Sequence, residues 1–127
     1  MGFWRKEVIQ LGMERDTDDA IAEQLAILKT DPQNARAHFA LGTLYYFKGD
    51  RERAITSFEK AIASDPAYAA PHVSLGRIYA VLGCYDLAWR HAREAARLGD
   101  ASLLEQLERY PNAASDSGDK DGIVNGE

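Results

Sequence analysis

ARAHFALGTLYYFKGDRERAITSFEKAIASDP, residues 35–66, decides how this chain reads. In its first half Leu41, Leu44 and Tyr45 recur at helical spacing, with Phe39 and Ala40 one turn earlier. Apolar residues at that period predict an amphipathic helix. Gly49-Asp50 ends the pattern. Glycine suits the left-handed residue just past a helix end, and an aspartate side chain caps the helix that follows by accepting from its free amides. In the second half Ala54, Ile55, Phe58, Ala61 and Ile62 form another stripe, at i, i+1, i+4, i+7 and i+8. Asp65-Pro66 stops it, because proline lacks the amide donor and drives the residue before it out of the helical region. Two short helices joined by a tight turn cannot bury both apolar faces alone, so this unit needs neighbours.

The neighbours are in the sequence. Displaced by 34 residues, His38 falls on His72, Leu41 on Leu75, Gly42 on Gly76, Tyr45 on Tyr79, Gly49 on Gly83, Ala54 on Ala88 and Ala61 on Ala95. Displaced the other way, Ala54-Ile55 falls on Ala20-Ile21, and Asp65-Pro66 on Asp31-Pro32. A period of this length with two helices per unit marks a repeat architecture. In its Leu-Gly pairs, the tyrosine three residues on, the turn glycine, the paired alanines with Phe58 between them, and Asp-Pro, the chain resembles the tetratricopeptide repeat (TPR) family. The likeness extends over roughly residues 1–100. It implies an all-α fold, a right-handed α-solenoid of about three helix-turn-helix repeats at about 1–34, 35–68 and 69–100. Gly42 and Gly76 fall mid-helix, where glycine costs about 0.5–1 kcal/mol relative to alanine. Their place is explained if another helix crosses there without room for a side chain. Ala54, Ala61, Ala88 and Ala95 allow the same close approach from the second helix, with Leu41, Tyr45 and Phe58 filling the space between.

The outer repeats follow less strictly. Trp4, Val8 and Leu11 predict a helix over about residues 3–14. Either Glu7-Val8 or, with a shorter turn, Leu11-Gly12 takes the place of Leu41-Gly42. A second helix is expected from Thr17 as cap, with Asp18 and Asp19 at its positive end and Ala20, Ile21, Leu25 and Leu28 on its buried face. In the third repeat Leu75, Ile78, Tyr79 and Leu82 face the core, Gly83 turns the chain and Asp86 opens the next helix. Leu103, Leu104 and Leu107 predict a capping helix over 101–110, closed by Pro111. That makes seven helices. The tail, residues 111–127, is polar, Gly-rich and acidic and reads as disordered.

Composition narrows the function. The 127 residues are 46% hydrophobic and 28% charged, ordinary values for one globular domain. Fifteen basic residues stand against 20 acidic ones, a net charge of −5, so no basic surplus argues for nucleic acid. A single Cys allows neither an intrachain disulfide nor a cysteine zinc site, and a cytoplasmic location is expected. No run of about 18 apolar residues spans a membrane.

Few constellations carry chemistry. His38 and His72 hold equivalent positions, but no carboxylate or Cys completes a ligand set with them, so they read as packing residues and no metal or cofactor is expected. Cys84 reads as a solvent-facing turn residue. Arg90, Arg93 and Arg97 share a helix face that reads as solvated, and Trp89 is expected to pack on the capping helix. There is no nucleophile–base pair and no Gly-rich phosphate loop, so the chain reads as no enzyme.

The TPR resemblance implies instead a concave groove lined by the first helix of each repeat. Its residues here are Arg36, Phe39, Thr43, Tyr46 and Phe47, then Ala70, Val73, Arg77, Ala80 and Val81. Tyr45, Tyr46 and Phe47 are consecutive and cannot all face one core. The clamp by which one TPR subclass grips chaperone tails is absent: of Arg5, Ile9, Ala40, Ala70 and Ser74, only Arg5 fits it. The implied function is a protein–protein interaction module that docks a partner peptide or protein through apolar and aromatic contacts. The alternative is a self-association element that forms a homo-oligomer.

Overall fold

The computed structural model describes the backbone of residues 2–109 and the side chains of residues 16–109. Its described residues form six helices and no strand: α1 Gly2–Thr30, α2 Ala35–Lys48, α3 Arg51–Ser64, α4 Ala69–Val81, α5 Tyr85–Arg97 and α6 Ser102–Arg109. The all-α expectation therefore holds. The chain divides into two compact units, Met1–Asp65 and Pro66–Glu127. The tail 111–127 lies outside the described residues, as do the side chains of Trp4, Val8 and Leu11.

The N-terminal expectation is corrected. Residues 1–34 do not make two helices; α1 runs unbroken through Gly12. Met13, Glu14 and Arg15 are good helix formers, and no Gly-Asp or Asp-Pro stop interrupts the chain before Asp31-Pro32. Thr17, expected as a cap, is instead buried in mid-helix. Asp18 does not serve a helix start either; its carboxylate accepts from Lys48 Nζ on α2 at 2.6 Å. Ile21 is buried as expected, while Leu25 stays 45% exposed.

In the first unit, α1 packs on α2 and α2 on α3. Asn34 caps α2, its side-chain oxygen accepting from the Ala37 amide at 2.9 Å, and Asp50 caps α3 by accepting from Arg53 N at 3.2 Å. Between them the chain reverses at Gly49, at φ 91°, a backbone region open to glycine and strained for other residues. Gly49 N–H donates to the Tyr46 carbonyl and Asp50 N–H to that of Tyr45, the two bonds of a Schellman turn. Ala37, Leu41, Ala54, Phe58 and Ala61 are buried, and Tyr45 is half-buried with the Arg53 guanidinium 5.8 Å from its ring centre. Gly42 faces the Phe58 ring so closely that an added Cβ would lie 2.5 Å from its edge. The glycine is there to admit that ring.

In the second unit, α4 packs on α5, and α6 on both. Its core is Val73, Ala88, Trp89, Ala92, Ala95, Leu103 and Leu107, with Tyr79, Ala80, Tyr85 and Leu104 packed around it. Leu75 and Ile78 are buried, Tyr79 is half-buried and Leu82 is exposed, against the expectation that all four face the core. Trp89 and the leucines of α6 share this cluster, so the capping helix does meet Trp89. At Gly76 an added Cβ would fall on the Leu103 side chain from α6. Helix α5 begins at Tyr85 with Cys84 as its cap residue, one residue earlier than Asp86 suggested.

Candidate docking faces on α2 and α4

Arg36, Phe39, Thr43, Tyr46 and Phe47 follow one another at intervals of three and four, with the last two adjacent, so α2 carries them along one stripe. The residues of that stripe differ in availability. Phe39 is half-buried, its ring tilted against Phe58 with centroids 5.5 Å apart. Thr43 is exposed, its hydroxyl donating to the Phe39 carbonyl at 3.3 Å. Arg36 is exposed. Tyr46 and Phe47 are 47% and 61% exposed. They are large rings left outside the unit's own core, next to Tyr45, which turns inward. Helical geometry enforces that split, because successive side chains point 100° apart.

On α4 the corresponding residues are less open. Val73, expected on a docking face, belongs to the core of the second unit at 7% exposure. Ala70 and Ala80 are half-buried. Arg77 is exposed and Val81 is 73% exposed. Arg77 lies near Asp100, whose carboxyl is held below its usual range first by hydrogen bonds from Ser102 and also by the Arg77 charge. Ser102 donates to that carboxylate through both its amide and its hydroxyl, at 3.1 and 2.6 Å. Asp100 thus organises the start of α6 and partly answers Arg77.

The other candidate residues have ordinary surroundings. The His38 Nε2–H donates to the Pro32 carbonyl at 2.9 Å, tying α2 to the loop before it. Cys84 is an exposed free thiol. Arg90 is exposed, Arg93 is half-buried and Arg97 pairs with Glu94 one turn back, lowering the Glu94 carboxyl below its usual range. Among the described residues no three His, Cys, Asp or Glu side chains gather as a metal site, and no helix is long and apolar enough to cross a membrane.

One contact went unread in the sequence. His72 Nδ1 and His91 Nδ1 lie 3.0 Å apart, a hydrogen bond between α4 and α5. His72 is buried, and His91 stacks on Tyr79 with ring centroids 5.7 Å apart. The repeat register paired His72 with His38, its equivalent one unit away; its actual partner lies 19 residues on and has no histidine counterpart at Ser57.

In a comparison with known families, residues 35–68 match the model of the tetratricopeptide repeat. A sequence comparison with curated proteins gives no match.

Proposed function

On the premise that this chain carries a tetratricopeptide repeat, we propose that it is an interaction module that docks a partner peptide or protein on the exposed face of α2. Repeats of this family serve in general as protein–protein interaction modules and typically as non-catalytic scaffolds. The observation that carries the proposal is the adjacent pair Tyr46 and Phe47, large aromatic rings each roughly half exposed or more. Rigid aromatic side chains lose little conformational freedom on binding and dominate binding energy where they enter a pocket. Arg36, one end of the same stripe, favours a partner with an acidic residue beside its apolar anchor; such complementarity acts mainly on orientation and association rate. On α4, Arg77 and Val81 are exposed, whereas Val73 is buried in the core of its own unit.

The test is affinity capture of the partner by the full chain and by the double variant Tyr46→Ala, Phe47→Ala. Loss of a central aromatic anchor typically costs upwards of about 2 kcal/mol of binding. The double variant should lose the partner while its helical circular dichroism stays unchanged, and Arg90→Ala should retain it. Should Arg90 prove essential and the rings dispensable, the working surface is on α5 instead.

A second reading, self-association, draws on Leu25 and Ile27, which leave α1 at 45% and 40% exposure. Apolar residues open in this way favour burial against a second copy. Sedimentation across a hundredfold concentration range separates the two: a mass that stays monomeric removes this reading.

A further inference from the structure

The His72–His91 contact joins two helices through two titratable rings. In the neutral pair one Nδ1–H donates and the other Nδ1 accepts. A first added proton has a free place at Nε2 of the donor ring and leaves that bond standing. A second has only the accepting Nδ1, which turns the contact into two N–H donors facing each other between two cations. Neither ring then keeps an acceptor nitrogen, so no ring rotation restores the bond, and packing keeps the rings together: they lie tilted at 5.3 Å, His91 is stacked on Tyr79, and its Cβ approaches the place where Gly76 has no side chain, beside Leu103 of α6. We propose that this pair is an acid-sensitive clasp of the second unit, whose double protonation loosens α4 from α5.

The surrounding charges favour the neutral pair at ordinary pH. Burial, then the neighbouring His72 and Arg90, hold the His91 imidazole down at about 4, with Glu94 opposing. Burial also lowers His72, opposed by Glu94 and assisted by Arg97. From α4 the pair meets Tyr79, and from α6 the apolar Leu103. Both imidazoles bind protons less readily folded than unfolded. Their contribution to stability is therefore complete above the unfolded value of about 6.5 and is lost as pH falls through the folded one. The clasp works in the window from about pH 6.5 down to about 4.

Denaturant unfolding of the full chain, followed by circular dichroism from pH 7.5 to 4, tests the clasp against the double variant His72→Gln, His91→Gln, whose amides hydrogen-bond without titrating. The wild type should lose roughly a hundredfold in its folding equilibrium constant across the window beyond any loss in the variant. Parallel pH profiles of the two proteins overturn the proposal. If the variant does not fold, NMR titration of the wild-type imidazole resonances decides. At least one of the pair's two steps should lie well below about 6.5, and two ordinary midpoints there overturn the clasp.

Discussion

The turns at Gly49 and Gly83 are 34 positions apart and use the same backbone bonds. Gly83, at φ 82°, donates to the Ala80 carbonyl as Gly49 does to Tyr46, and Cys84 donates to Tyr79 as Asp50 does to Tyr45. The side chains that support them differ. Asn34 and Asp50 cap the helices of the first unit through their oxygens, whereas Tyr68 and Cys84, the equivalent residues of α4 and α5, make no side-chain cap. The mid-helix glycines differ too: Gly42 admits an aromatic ring from the next helix, and Gly76 admits a leucine from α6. A repeat thus conserves its main-chain geometry while each unit supplies its own packing and polar support. Where the first unit ties its helix starts with side-chain caps, the second joins α4 to α5 with a histidine pair.

The comparison breaks most visibly at the packed side chains. Phe58→Ala removes the ring that fills Gly42 and the contact with Phe39, and should cost about 3–5 kcal/mol in unfolding free energy. Leu103→Ala, its counterpart, should fall within about 2–5 kcal/mol. Next come the glycines. Gly42→Ala forces a Cβ against three atoms of a buried ring, all within 2.8 Å, and should destabilise by about 1–3 kcal/mol despite the gain in helix propensity. Gly76→Ala meets the end of a leucine that can change rotamer, so its melting temperature should fall less than that of Gly42→Ala. Equal shifts would mean that the two crossings are packed alike.

The caps give a smaller, signed test. Asp50→Ala should cost about 1 kcal/mol, and Cys84→Asp should recover roughly 0.5–1 kcal/mol at the corresponding place in the second unit. A Cys84→Asp protein no more stable than the wild type would show that the uncapped start of α5 carries no deficit. Smallest is Lys48→Ala, which deletes an ion pair between side chains 40% and 59% exposed. Its expected cost in denaturant unfolding is under about 1 kcal/mol and should shrink with added salt.

The same contrast explains what the amino-acid sequence reveals. The turn glycines, Asp50 as a cap, and the Gly42–Phe58 crossing are legible because each follows from chemistry within a few residues or from the repeat register. The N-terminal helix is not, because a helix end there had to be inferred from a period rather than seen in a stop residue, and Glu14 and Arg15 carry the helix across the place where a turn was expected. Of the docking residues, Tyr46 and Phe47 are readable from adjacency alone, since three consecutive aromatics cannot share one face. Val73 is not: it lies in a core cluster built from α4, α5 and α6 together, and α6 lies outside the repeat. The histidine pair escapes a register argument for the same reason: it joins positions that are not equivalents.

Within each unit every helix packs on the one next to it in the chain, and the reversals between α2 and α3 and between α4 and α5 each take only a few residues. The chain segments that must find one another are therefore close along the backbone, and little loop-closure entropy is lost before contacts form. Helical proteins of such low contact order fold in roughly microseconds to milliseconds. The turn glycines then act on time as well as on shape. A residue that resists φ 91° at position 49 would delay the meeting of α2 and α3, and stopped-flow refolding of Gly49→Ala should show a slower folding arm, not merely a faster unfolding one.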